Sequence, residues 1–346
     1  MFIKNAWYVA AWSKEVNRFS MLARTLLNEP VVMYRKYDGT PVALYDRCPH
    51  RFAPLSAGRI AGEGISCAYH GMEFNSEGRC VKNPTQPDRE IQSGANVKSY
   101  PLVEKNQLIW IWMGEVALAN PDLIPDYEQY AMGADYGTDG SHMHVACNYQ
   151  LLIDNLLDLS HAGFIHAGIL GTEHFMNNLR VVDTAVSDRQ IIEKRIVEDG
   201  PAVPAFKAAA NDFEGNVDLW MDAQWDAVAS YILDVGVTPT GKERDEGWRT
   251  WALHCMTPET ATTTNYFWGV AHSYRTNDVS VTKFWMEGLA FAFSQDKDIL
   301  EKTQQSMGEE WDVLAMNPVI NEADRAAVMA RRMLKKMLTE EKQSQA

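Results

Sequence analysis

Cys48-Pro49-His50-Arg51 and, further on, Cys67-Ala68-Tyr69-His70-Gly71 decide how the rest of this chain is read. Written as spacing they are C-x-H, sixteen residues, then C-x-x-H. Two thiolates and two imidazoles in paired short loops are a metal site before they are anything else. Four such donors close a tetrahedral zinc site. They equally hold a [2Fe–2S] cluster with both cysteines on one iron and both histidines on the other, an arrangement whose imidazoles raise the reduction potential. The C-x-H half argues against zinc, whose loops usually space their ligands by two to four residues.

Around these loops the pattern is one of short strands and turns. Pro30–Arg35 and Pro41–Tyr45 flank an Asp38-Gly39 turn, a strong hairpin signal. Gly71–Asn75 and Cys80–Lys82 flank Ser76-Glu77-Gly78, and Leu108–Met113 is a buried strand rich in aromatic and β-branched residues. An all-β module over residues 1–115 is expected, with the metal loops at its hairpin tips. The stretch from Glu115 to Asp126, with two prolines and three acids in a dozen residues, marks a connection to a second domain over residues 116–346. There, 190–192, 227–233, 250–254 and 264–270 are strand-like, and the last two alternate, so an antiparallel sheet with one buried face is expected. Residues 281–314 turn helical, and 325–341 form a basic amphipathic helix whose Val328, Met329, Met333, Met337 and Leu338 stripe reads as core or subunit contact. The fold class is therefore α+β.

Composition narrows the partners. The 346 residues suffice for two cored domains, and a formal charge of −14 speaks against nucleic acid or an acidic membrane surface. Five cysteines is an odd count; Cys80, Cys147 and Cys255 lack a disulfide-like framework, which suits a reducing cytoplasm. The first residues do not read as a signal peptide, and no apolar run approaches the ~20 residues of a membrane span.

A cluster of this kind moves one electron at a time, so the chain should also hold an electron sink. Asn155-Leu156-Leu157-Asp158-Leu159-Ser160-His161-Ala162-Gly163-Phe164-Ile165-His166 is the informative stretch. Leu151, Leu152, Leu156, Leu159 and Ile165 mark a buried helix. Asp158, His161 and His166 are then polar groups in an apolar setting and need partners. A spacing of five leaves the two histidines off a common helical face, and Gly163 offers a π-type widening or a break. Taken alone, a core histidine bonded to a carbonyl is the ordinary outcome. Beside an electron-supplying cluster, two histidines and a carboxylate with open positions are the mark of a non-haem Fe(II) oxygenase. Asp296, Asp298 and Glu301 on the late helix compete for the carboxylate place, and chemistry alone does not separate them.

Both stretches resemble the Rieske-type non-haem iron oxygenases, and the resemblance runs from Asn5–Ala10 through Gln295-Asp296-Lys297-Asp298-Ile299-Leu300-Glu301. Arg51–Ser56, Thr257–Thr260 and Asn265–Gly269 are similar to the branch that demethylates or hydroxylates methyl groups, which includes the dicamba, vanillate and toluenesulfonate monooxygenases. The resemblance implies a [2Fe–2S] Rieske cluster on Cys48, His50, Cys67 and His70, and a mononuclear Fe(II) on His161, His166 and Asp296. It implies that Asp158 bridges a Rieske histidine of one subunit and an iron-bound histidine of the next, hence a head-to-tail homotrimer. It also places an amide, Asn155, near the iron and a substrate-contacting histidine at His254. On the strand before His254, Leu233 stands where the dicamba enzyme carries an amide, a departure that turns away from dicamba itself. The implied activity is that of a terminal oxygenase component. It uses O2 and electrons from NAD(P)H, through a separate reductase or ferredoxin, to hydroxylate a methyl or methoxy carbon of a small aromatic acid. A methoxy substrate is demethylated with release of formaldehyde. A ring-hydroxylating Rieske oxygenase shares the same ligands, and a Rieske electron-transfer protein without catalysis would lack the second metal set.

Overall fold

The computed structural model describes residues 2–209 and 213–344. One compact unit spans Lys4–Ile124, and a second runs from Pro125 onward and takes in Ile3. The division falls after 124 instead of at 115 because the connecting segment folds back on the first unit. Trp7 Nε1 donates to the Asn120 carbonyl (2.8 Å) and Lys105 Nζ to that of Ile124 (3.4 Å).

The first unit is three small antiparallel sheets. Its strands are β1 (Trp7–Trp12), β2 (Leu22–Leu26), β3 (Glu29–Arg35), β4 (Pro41–Tyr45), β5 (Arg59–Ala61), β6 (Gly64–Ser66), β7 (Glu73–Phe74), β8 (Cys80–Lys82), β9 (Ser99–Tyr100), β10 (Leu102–Lys105) and β11 (Leu108–Trp112). They pair as β1-β11-β10, β2-β3-β4-β9 and β5-β6-β7-β8. The Asp38-Gly39 turn closes as expected, with Asp38 Oδ1 accepting from Thr40 N (2.9 Å) and Gly39 at φ 88°. Cys48 and Cys67 belong to the apolar core of this unit, packed with Tyr34, Leu44, Leu55, Ile65 and Phe74.

The second unit is built on a seven-stranded antiparallel sheet. In chain order its elements are β12 (Gly137–Val145), α1 (Tyr149–Leu157), α2 (Glu173–Asn178), β13 (Arg180–Val186), β14 (Gln190–Pro201), α3 (Pro204–Ala209), β15 (Asn216–Asp226), β16 (Ser230–Pro239), β17 (Trp248–Pro258), β18 (Thr264–His272), α4 (Val279–Met307) and α5 (Arg325–Ser344). The sheet order is β12-β18-β17-β16-β15-β14-β13. Of the run 227–233 only the part from Ser230 is strand; Ala227–Ala229 make the turn between β15 and β16. The sheet was expected to bury one face, yet every residue of β18 is buried, because the central strands are covered on both sides. Half-burial survives in β14, and β13 at the other edge is almost wholly exposed.

α1 ends at Leu157, so the long helix expected through His166 breaks earlier than Gly163. Asp158 is the breaking residue: it closes α1 and caps a 3-10 turn, Leu159–Gly163, by accepting Ser160 N on Oδ1 (2.9 Å). The methionines of α5 are only half-buried. Its inward face is Ala326, Ala327, Ala330, Arg331 and Leu334, with Arg331 donating to both carboxylate oxygens of Asp154 on α1 (2.6–2.9 Å). Among the described residues no helix is long and apolar enough to cross a membrane.

Candidate functional site

The two loops of the first unit close alike. Cys48 N donates to Ala53 O (2.8 Å) and Phe52 N to Cys48 O (2.9 Å); Cys67 N donates to Met72 O (2.8 Å) and Gly71 N to Cys67 O (3.0 Å). The fourth position is left-handed in each, Phe52 at φ 60° and Gly71 at φ 72°. Glycine meets that demand freely, whereas a side chain there costs roughly 1–2 kcal/mol. The turns sink both thiols, each 2% exposed, and leave the imidazoles at the surface with ring centres 4.5 Å apart. Burial pushes the Cys48 thiol up, and the facing Cys67 sulfur adds to it, against the backbone N–H groups of His50 and Arg51. Paired thiols so placed ionise readily only with a cation between them. The four donors stand as a buried sulfur pair and a surface imidazole pair, the division that a [2Fe–2S] cluster with both thiolates on one iron and both imidazoles on the other uses.

The second unit gathers His161, His166 and Asp296, whose ligand atoms lie within 4.8 Å of one another. His161 sits on the turn that Asp158 caps, and its Nδ1 donates to the Asp158 carbonyl (2.6 Å). His166 Nδ1 donates to Gln295 Oε1 (3.0 Å). Both rings therefore turn Nε2 inward, 3.6 and 3.2 Å from separate oxygens of Asp296. Asn155 Nδ2 donates to Asp296 Oδ1 (3.3 Å). Burial lowers the pKa of His166, but Asp296 and Gln295 outweigh it and the net shift is upward. Two imidazole lone pairs and a carboxylate facing each other in a buried place need a proton or a metal ion between them, and the donor set is that of a facial triad.

Asp296 is the carboxylate that reaches the histidines. On α4 the buried stripe runs Trp285, Leu289, Ala292, Phe293, Asp296, Leu300, Gln304. Asp298 is turned outward to Lys302 (2.6 Å), and Glu301 caps Ala146 N (2.8 Å). The stripe was a signal available in the sequence. Gln295 was not singled out there, and only the fold brings it to His166.

A cavity of about 90 Å³ opens beside the triad, walled by Leu156, Leu233, Val235, Ala252, Leu289 and Phe293. Trp285 lines it as well, whereas Trp251 and Trp268 do not. His254 reaches the cavity from β17 and is 1% exposed. Burial pulls its pKa down to about 3, so it is neutral at ordinary pH. Its Nδ1 lies 2.5 Å from the hydroxyl of Tyr266, a residue that sequence reasoning passed over. Burial holds the Tyr266 phenol protonated. With the phenol donating to Nδ1, the ring's own proton sits on Nε2, which gives His254 an N–H to offer a ligand.

The family comparisons agree with this geometry. Residues 6–101 match the Rieske [2Fe-2S] domain, and residues 145–340 match the Vanillate O-demethylase oxygenase C-terminal domain. The chain is 39% identical to a putative toluene-4-sulfonate monooxygenase system iron-sulfur subunit of Comamonas testosteroni, over 89% of this chain and 90% of the relative. It is 35% identical to the oxygenase component of dicamba O-demethylase from Stenotrophomonas maltophilia, over 97% and 98%. The crystal structure of dicamba monooxygenase bound to 3,6-dichlorosalicylic acid superposes with a TM-score of 0.92 at 35% identity, covering 98% of each chain. By sequence and by fold, this chain belongs to the Rieske non-haem iron oxygenases, as an oxygenase component of the vanillate O-demethylase group that carries a [2Fe–2S] cluster and a mononuclear iron.

Proposed function

We propose that this oxygenase hydroxylates a methyl or methoxy carbon of a small aromatic acid, demethylating a methoxy substrate to a phenol and formaldehyde. The carrying observation is the convergence of His161 Nε2, His166 Nε2 and the Asp296 carboxylate at the wall of an apolar cavity. The ligands are Cys48, His50, Cys67 and His70 for the cluster and His161, His166 and Asp296 for the iron. When bound, the cluster supplies single electrons and the mononuclear iron supplies O2 activation. The balance for a methoxy arene is one O2, two electrons and two protons in, and phenol, formaldehyde and water out. The electrons come from NAD(P)H through a reductase or ferredoxin.

The residues of the chain have separate tasks. Gln295 and the Asp158 carbonyl hold the two imidazoles with Nε2 toward the metal. Asn155 fixes one oxygen of Asp296. Leu233, Val235, Leu289 and Phe293 exclude water and hold an aromatic ring. His254 offers one neutral N–H to an acceptor on the substrate. Asp158 keeps one carboxylate oxygen for Ser160. In a head-to-tail trimer the same carboxylate would bond a Rieske histidine of a second copy. All five cysteines are free and buried, which suits the cytoplasm.

The test begins with a visible spectrum and metal analysis of the air-oxidised protein. A red-brown protein with about three irons per chain is expected, two in the cluster and one mononuclear. Formaldehyde should then appear when methoxy-arene acids are supplied with O2, reductase and NAD(P)H. A colourless zinc protein refutes the cluster ligands. Two irons that are not joined by a third on adding Fe(II) leave an electron carrier. A ring diol without formaldehyde makes it a ring hydroxylase.

A further inference from the structure

The sheet face that forms the cavity is largely apolar, with Thr250 and His254 on it and two charges further along. Register pairs Glu193 with Ala223 and Arg195 with Met221, and these in turn with Leu233 and Val235. Directly paired residues share a face, so the two charges lie on the side of the sheet that forms the cavity. Glu193 is 4% and Arg195 5% exposed, and they are ion-paired. A buried pair of this kind gains little net stability over apolar side chains, because desolvation offsets the attraction. Stability alone is therefore a weak reason for these charges to be here.

The second bond of Arg195 gives a stronger one. Its Nη2 donates to the Leu157 carbonyl (2.7 Å). Leu157 is the last residue of α1, where helix carbonyls lose their intrahelical partners. The next residue, Asp158, caps the turn of His161 and accepts from its ring. A rigid strand thus holds, through one guanidinium, the peptide at which the chain leaves the helix for the metal turn. With His161 taken as an iron ligand as above, we propose that Arg195 is a positioning residue for the mononuclear iron: by holding the Leu157 carbonyl it sets the Asp158–His161 turn and the direction of His161 Nε2. Glu193 neutralises the guanidinium and takes no part in the positioning.

Arg195→Met alone strands the Glu193 carboxylate in an apolar place and threatens folding. The informative variant is therefore Glu193→Gln/Arg195→Met, which removes both charges. Glu193→Gln and Arg195→Lys accompany it; lysine restores a donor within reach of the carbonyl. Each is purified with iron, and release of mononuclear iron to a ferrous chelator is timed, with cluster absorbance and Tm recorded on the same sample. The double variant should keep the cluster spectrum and a Tm near wild type yet release iron about 10-fold faster, the low end of the range for losing a direct partner of a metal ligand, because Arg195 acts one peptide removed. Glu193→Gln should release iron at the wild-type rate, and Arg195→Lys should restore most of the retention. A folded double variant with wild-type release overturns the positioning role, as does fast release from Glu193→Gln alone or no restoration by lysine. A wild-type protein with no chelatable iron beyond the cluster would instead refute His161, His166 and Asp296 as ligands.

Discussion

His254→Gln replaces a buried imidazole that the fold keeps uncharged, and the consequence can be worked out in free energy. His254 is 1% exposed; burial takes its pKa from 6.5 to about 3, against a smaller upward pull from Asp296. Above pH 6.5 neither folded nor unfolded chain protonates this ring, and it contributes no pH dependence. Between 6.5 and about 3 the unfolded chain holds a proton that the folded chain refuses, so stability falls as pH falls. One pKa unit corresponds to 1.36 kcal/mol, so lowering the pH from 7.5 to 5.5 costs about 1.4 kcal/mol through this residue alone. Glutamine takes no proton, and its amide can still meet the Tyr266 hydroxyl. The variant should therefore lack this part of the acid sensitivity.

The assay is urea denaturation of wild type and variant at the two pH values, after the mononuclear iron is removed by chelation. Tryptophan emission reports unfolding. Other groups titrate in both proteins and cancel in the difference. The wild-type loss between pH 7.5 and 5.5 should exceed that of the variant by about 1.4 kcal/mol. An equal loss in both would show that His254 takes its proton in the folded state. That result would also undo its role as a neutral donor, since a charged ring would bind acids by attraction and give KM a step near pH 6.5.

Three other outcomes follow from the same geometry. Gln295→Leu removes the acceptor of His166 Nδ1 (3.0 Å) and should weaken Fe(II) binding about 10–100-fold with the cluster spectrum unchanged, measured by Fe(II) titration; unchanged affinity would dismiss the role of Gln295. Asp158→Asn keeps the oxygen that accepts Ser160 N, so both metals should stay bound, while electron transfer between them slows on the order of a hundredfold in single-turnover mixing; normal turnover would sink the bridging role. Glu29 is pushed up by burial but pulled further down, to about 2, by bonds from Lys98 (2.8 Å), Lys4 (2.9 Å) and Tyr100 (2.7 Å). Its contribution is complete above the unfolded pKa of 4.5 and lost as pH falls toward 2, so Glu29→Gln should cost about 2 kcal/mol at pH 7 and much less at pH 3; a loss that is the same at both pH values would contradict the ionic account.

The proposed ligands were legible in the sequence to the degree that each sits on a locally determined element. Cys48 to His70 needed only spacing, because each loop closes on itself through bonds five residues long or less. Asp296 was more legible than it was taken to be. It falls on the helical stripe of Trp285, Leu289, Ala292 and Leu300, and its two acidic rivals do not. The break at Asp158 is a different case. An aspartate inside an apolar helical run can stay in the helix or cap a new turn, and Gly163 was the more obvious weak point. The carbonyl left over at the break is taken up from a distant strand, 38 residues away, by Arg195. The His254–Tyr266 pair likewise depends on register, since the sheet sets Met256 opposite Tyr266 and so brings His254 diagonally to the phenol. The proposed metal ligands can be read from local pattern, whereas the groups proposed to aim them come from strands and helices distant in sequence. Substitutions at Arg195, Tyr266 and Gln295 should therefore alter the iron site and cavity while leaving every motif in the sequence intact.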